Sequence, residues 1–218
     1  ETRPGTHAGR AYAAAIYQGH PYGAQTTAKT LLAIGVNDMA AFYRQHVMAC
    51  GARISLVGAI DRATADRIAS RLLAAIAPHG CRGQAPVPEV APLAAAKDER
   101  IPFAAAQAQV LLGQPGVKRD DPDFLTLLVG NHILGASGFT SRLMDEVREK
   151  RGLTYGVYSS FSPGRHAGAF TVSLTTRPDQ AEAALASFRE VVARFVAEGP
   201  TEAELQAAKD ALIKGFAL

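Results

Sequence analysis

The chain has 218 residues, 48% of them hydrophobic and 20% charged, an ordinary globular balance that allows one large domain or parts of two. Its 23 Lys and Arg against 20 Asp and Glu leave a formal charge of +3 with no dense basic run, which argues against a nucleic-acid partner. No apolar run approaches the roughly 18 residues of a membrane span, and a chain that opens on Glu without a signal-peptide pattern is expected to be part of a longer one.

In chain order, Ala11 to Ile16 suggests helix and Gly19-His20-Pro21-Tyr22-Gly23 a turn. Asn37 or Asp38 is placed to cap a helix whose apolar face is Met39, Phe42, Tyr43 and Val47. Arg53 to Val57 alternates like a half-buried strand and stops at Gly58. Asp61 then caps a helix with Ile68, Leu72 and Ile76 on one face, halted by Pro78 and Gly80. Pro86, Pro88, Pro92 and Pro102 punctuate the next stretch, which cannot sustain a helix and marks the best domain boundary as an extended linker over residues 81–100.

After the linker the pattern restarts. Gln107 to Gly113 is predicted as a strand closed by a Gln114-Pro115-Gly116 turn, and Asp121-Pro122 as a helix start carrying Phe124, Leu127, Leu128 and Leu134. Gly135-Ala136-Ser137-Gly138 ends that helix. Leu143, Met144 and Val147 define another, with Arg142–Glu146 and Glu146–Lys150 pairs on its solvated side and Gly152 as its C-terminal cap. Tyr155 to Phe161 and Gly168 to Thr176 form a predicted antiparallel hairpin. Asp179 with Glu182, and Thr201 with Glu204, have capping-box spacing. The first opens a helix burying Leu185, Phe188, Val192 and Phe195; the second opens one carrying Leu205, Ala208 and Leu212 that runs on to the chain end. The fold class is therefore α+β, an antiparallel sheet covered by helices.

Little of the polar inventory points to self-contained chemistry. Cys50 and Cys81 fit one disulfide or two ordinary thiols, with no CxxC or Cys/His spacing for a metal. None of His7, His20, His46, His79, His132 and His166 belongs to an HxxEH or HExxH pair, so the chain alone offers no zinc site and no peptidase activity. The Gly135–Gly138 loop lacks the GK[ST] ending of a phosphate loop, and a plain helix connection accounts for it about as well as any ligand site would, and better than a nucleotide. Arg148 and Tyr155 are more suggestive. Arg148 sits in the last turn of a helix, Gly152 reverses the chain and Tyr155 opens the next strand, so a guanidinium and a phenol can converge on one end of the sheet, a pairing suited to a developing oxyanion.

The block from Gly138 to Tyr158, GFTSRLMDEVREKRGLTYGVY, resembles the C-terminal-domain signature of the pitrilysin/insulinase-type (inverzincin) zinc metallopeptidases, near their mitochondrial processing peptidase branch. Asp121-Pro122-Asp123, Gly199-Pro200-Thr201 with Glu204-Leu205, His20-Pro21-Tyr22-Gly23 and Ile54 to Gly58 extend the resemblance along the chain. It implies a fragment of tandem homologous domains. Residues 1–80 would be the second half of the preceding peptidase-like domain, and 101–218 the first half of a metal-free C-terminal one. It also implies that Arg148 and Tyr155 meet the substrate, that Gly135, Gly138 and Phe139 belong to a substrate-contacting glycine-rich loop, and that zinc sits in a partner domain or subunit. His20 matches a family motif and is read as structural. Three readings stay open: the non-catalytic, substrate-binding part of a zinc metalloendopeptidase acting on an extended peptide; a structural subunit without peptidase work; and the metal-free part of a self-sufficient protease. Exchange of halves in a homodimer is a further expectation, and the only compartment the resemblance suggests is the bacterial periplasm.

Overall fold

A computed structural model describes residues 3–48, 52–74, 76 and 85–216; Cys50, Cys81, His79 and the helix stop expected at Pro78 and Gly80 lie outside them. The chain is α+β and forms two compact units: one joins the residues up to Ala24 with those from Val87 onward, and the other is Gln25–Pro86.

The first unit is organised on three antiparallel strands, β1 (Ala108–Pro115), β2 (Gly156–Phe161) and β3 (Ala169–Thr176), in the order β1-β3-β2. Alternation along the strands explains which face is covered. Val157 on β2 and Val172 and Leu174 on β3 join Leu134, Leu143, Met144, Val147, Ala184, Phe188 and Val191 in one buried cluster. Each such large side chain contributes roughly 1.5–3 kcal/mol by leaving water. The helical layer over this face is α5 (Phe124–Asn131), the helical segment Met144–Lys150, and α6 (Ala181–Glu198). Against β1 lies α1 (Pro4–Tyr17), longer than the helix predicted at Ala11–Ile16. Its Tyr12 hydroxyl shares a hydrogen bond with Thr171 Oγ1 (2.7 Å) and lies 3.2 Å from the Phe170 carbonyl oxygen. Burial pushes that phenol above its ordinary pKa.

Several predicted elements shift for local reasons. Helix α5 begins at Phe124 rather than at Pro122, because Asp121 Oδ1 accepts from the Asp123 amide (2.9 Å) and forms a turn first. It continues as π-helix over His132–Ala136, and Met144–Lys150 is π-helical as well. The Arg142–Glu146 pair does not form. Arg142 instead makes a bidentate ion pair with Glu204 (both 2.7 Å), donates to the Gly199 carbonyl (3.0 Å) and lies over the Phe195 ring. Glu146 pairs with Lys150 (3.0 Å), as expected, and also with Arg194 (3.2 Å). The Asp179–Glu182 capping box is also absent: Asp179 turns back to Arg177 (3.0 Å) in the short 3₁₀ turn Pro178–Gln180 that precedes α6. The Thr201–Glu204 box does form at the start of α7 (Glu202–Phe216), with the Thr201 amide donating to Glu204 (2.7 Å) and the Glu204 amide to Thr201 Oγ1 (3.3 Å). Arg142, followed by the Thr201 hydrogen bonds, holds the Glu204 carboxyl down at about 2 against the cost of burial.

Residues 87–107 contain no helix or strand, yet they are fastened within the first unit. Val90 is buried, the Pro88 carbonyl accepts from His20 Nε2 (2.9 Å), and Glu89 pairs with Lys118 (2.9 Å) and His166 (3.0 Å). Lys118 first, and then His166, keep the Glu89 carboxyl below the usual carboxylate range.

The second unit holds α2 (Ala28–Leu32), α3 (Val36–His46) and α4 (Arg62–Ala74). Gly35 rather than Asn37 or Asp38 is the N-cap of α3; Asp38 serves it from inside by accepting the Gly35 amide (2.8 Å). Asp61 caps α4 as predicted, accepting from the Thr64 amide (2.7 Å). Arg53–Val57, expected as a half-buried strand, is instead exposed and pairs with no strand among the described residues. An alternating segment becomes a strand only when another strand satisfies its amides and carbonyls. The predicted apolar face is likewise open: Met39, Phe42 and Tyr43 are exposed, as are Leu32 and Val36.

Candidate functional site

The end of the sheet where β1 begins and β3 finishes carries an open cleft of about 390 Å³. Register explains its composition. Ala108 lies opposite Thr176 and Gly156 opposite Thr175, so the residues just outside the ladder, Gln107, Arg177 and Tyr155, emerge at one edge. The helical segment Met144–Lys150 ends beside them and adds Arg148 and Glu149. Its start is set by Ser141, fully buried, whose hydroxyl donates to the Gly138 carbonyl (2.8 Å) while its own carbonyl accepts from Asp145 (3.0 Å). Its end is set by Gly152 at φ +62°, with the Leu153 amide returning to the Val147 carbonyl (3.0 Å). A side chain there would strain the backbone that turns the chain from Arg148 into β2.

Arg148 and Tyr155, paired in the sequence analysis, therefore line the same cleft. Tyr155 is 81% exposed, and no hydrogen bond engages its hydroxyl among the described residues. Arg148 is held on two sides: one amino group donates to Glu149, and the guanidinium lies 4.5 Å from the centre of the Phe139 ring. The cleft's threonines are committed elsewhere. Thr154 donates to the Thr175 carbonyl (2.6 Å) and Thr176 to that of Leu153 (2.5 Å), clasping the strand ends.

The three residues of the predicted loop separate in space. Phe139 is exposed and reaches the site through Arg148. Gly138, at φ +65°, starts the 3₁₀ turn Gly138–Thr140 and has open space where a side chain would lie. Gly135 is buried against β2: a Cβ there would come within 2.3 Å of Ser159 Oγ and 2.8 Å of the Ser159 amide nitrogen. Its smallness serves the packing of the π-helical turn on the sheet, beside the buried hydrogen bond from Ser159 to Asn131 (2.7 Å). Sequence reasoning passed over Gln107, Arg177 and Gln180, which complete the cleft wall. Pairing the predicted strands would have found them, because each flanks a strand end or follows it in the next turn.

Among the described residues no three His, Cys, Asp or Glu side chains gather as a metal site. Both ring nitrogens of His20 are engaged, Nε2 with Pro88 O and Nδ1 as acceptor of the Tyr22 amide (3.1 Å), and His166 Nδ1 meets Glu89. The described residues do not fit a zinc ion. No helix among them is long and apolar enough to cross a membrane.

Residues 33–212 match the family described as the peptidase M16 inactive domain, and the chain belongs to that family. It is 32% identical over 186 residues to an uncharacterized zinc protease of Streptomyces coelicolor, covering 82% of this chain and 40% of that one. The crystal structure of a peptidase M16 inactive domain from Pseudomonas fluorescens superposes with a TM-score of 0.88 at 38% identity, over 97% of this chain and 51% of that one. A protease from Helicobacter pylori shares the fold at 17% identity (TM-score 0.89), over 99% of this chain and 53% of that one. The chain thus spans about half the length of these relatives or less.

Proposed function

We propose that this chain is the non-catalytic, substrate-binding part of a zinc metalloendopeptidase, holding an extended peptide and presenting Arg148 and Tyr155 to a zinc-bearing homologous domain or subunit. The observation that carries the reading is the convergence of these two side chains, one cationic and one an uncommitted hydroxyl, on one open cleft. A guanidinium and a phenol offer hydrogen-bond donors to a peptide carbonyl, and a donor matters most where negative charge develops on that oxygen. The zinc and its chemistry belong to the partner; this chain's part is to bind and orient.

The domain reading is part of the proposal. Residues 1–80 complete the preceding domain and 101–218 open the metal-free one. The exposed Leu32, Val36, Phe42 and Val57 support a cover supplied by the rest of that preceding domain. Exchange between two copies would cover them equally, and the molar mass in solution separates the two arrangements.

The test is peptide cleavage by the parent polypeptide, alone and mixed with a zinc-bearing relative, with bound zinc quantified in each sample. The expected result is activity that needs a zinc-bearing partner domain or subunit and falls on the order of 10²-fold or more in Tyr155→Phe, with zinc and folding unchanged. Full activity in Tyr155→Phe would remove the role. A chain that binds its partner while Arg148→Ala changes nothing would be a structural subunit.

A further inference from the structure

The cleft holds a second cation that the Arg148–Tyr155 pairing does not explain. Arg177 follows β3 directly and lines the same wall, flanked by Gln107 and Gln180. No hydrogen bond engages either glutamine side chain among the described residues. Two carboxylates accompany the two guanidinium groups: Glu149 on Arg148, and Asp179 on Arg177 through one amino nitrogen (3.0 Å). The Arg177–Asp179 pair is well exposed, with side chains at 64% and 69%. Such pairs are worth little and exchange readily, and a guanidinium with five N–H donors keeps several free after one is used. A carboxylate that arrives with the rest of a bound peptide therefore meets unsatisfied donors at Arg177 and two free amides beside it.

We propose that Arg177 is a specificity-determining residue of this cleft, selecting extended peptides that carry an acidic side chain next to the segment held by Arg148 and Tyr155. The inference rests on the substrate-binding reading above and adds the substrate class. Asp179 acts as the internal competitor, a tethered carboxylate that an acidic peptide displaces from part of the Arg177 fork. Arg148 and Tyr155 contact the peptide whatever its side chains, so they set how tightly any peptide binds. Arg177 sets which one is preferred.

The experiment measures binding of two fluorescein-labelled peptides, identical except that one carries Glu where the other carries Gln, to the full protein at low salt. The wild type should prefer the Glu peptide by about three- to tenfold, as expected for a charge-assisted contact at a partly exposed site. Arg177→Gln should abolish the preference, and Asp179→Asn should widen it. Tyr155→Phe should weaken both peptides alike, and Lys209→Gln, which removes the same charge from α7 outside the cleft, should leave the preference intact. Binding of both peptides without preference, or a preference that survives Arg177→Gln, overturns the inference and leaves the substrate-binding reading standing. Failure of both peptides to bind overturns the two together.

Discussion

Val172 and Phe42 are both large apolar residues on ordinary periodic segments, yet Val172 is fully enclosed while Phe42 is 63% exposed. The difference lies in what each segment finds to pack against. In the unit built on the sheet, β3 has a strand on either side, helices over the face that carries Val172 and Leu174, and Tyr12 of α1 bonded to Thr171, so its two core residues are enclosed. In Gln25–Pro86 the helices form, with α4 capped by Asp61 as its sequence predicts, but among the described residues Leu32, Val36, Met39, Phe42, Leu72 and the alternating Arg53–Val57 stay exposed. Local sequence is enough to make a capped helix; enclosure takes a partner.

The comparison breaks most visibly under truncation. Met144→Ala, at a side chain 1% exposed inside the buried cluster, should cost about 2–5 kcal/mol in denaturant unfolding, whereas Phe42→Ala in the same chain should cost less than about 1. Comparable losses would mean that Phe42 is buried in solution. Gly135→Ala is next, at about 1–3 kcal/mol, because its added methyl group meets the Ser159 backbone, which cannot rotate away. Retained stability there would show that the π-helical turn slides over β2. The smallest effect sharpens the electrostatic side. With its folded-state pKa depressed to about 2, Glu204 contributes stability that is complete above the ordinary carboxylate range and is lost as pH falls from about 4.5 through 2. Glu204→Gln should lower stability at neutral pH by about 1 kcal/mol, after allowance for solvent screening, and remove that part of the acid sensitivity. An unchanged acid profile would assign the sensitivity to other carboxylates.

What was legible in the sequence follows the range of the interaction involved. The Thr201–Glu204 box and the Gly152 reversal involve residues a few positions apart, and both appear as predicted; the Glu204 carboxylate accepts from the Thr201 amide and from Arg142 at once. Asp179–Glu182 has the same spacing and fails because Arg177, two residues back, takes the carboxylate. Arg142 and Glu146 fail as a pair because Glu204 offers Arg142 a bidentate partner from another helix. The π-helical turns leave no mark in an apolar pattern read at 3.6 residues per turn. For the cleft, Arg148 and Tyr155 were within reach because one reversal joins them. Gln107, Arg177 and Gln180 arrive from the far ends of other strands and required the register.

The strand order has a consequence for how the protein is made. Among the described residues β1 and β2 each pair only with β3, and β3 is the last of the three to leave the ribosome. Until Ala169–Thr176 emerges, β1 waits without a ladder and α1 without the Thr171 and Phe170 groups that anchor Tyr12. The hairpin with β2 closes a short loop and can form at once, while β1 must bridge more than fifty residues to dock, at a higher entropic cost. The sheet therefore assembles around its youngest strand, and the cleft at its end comes into being in that same late step.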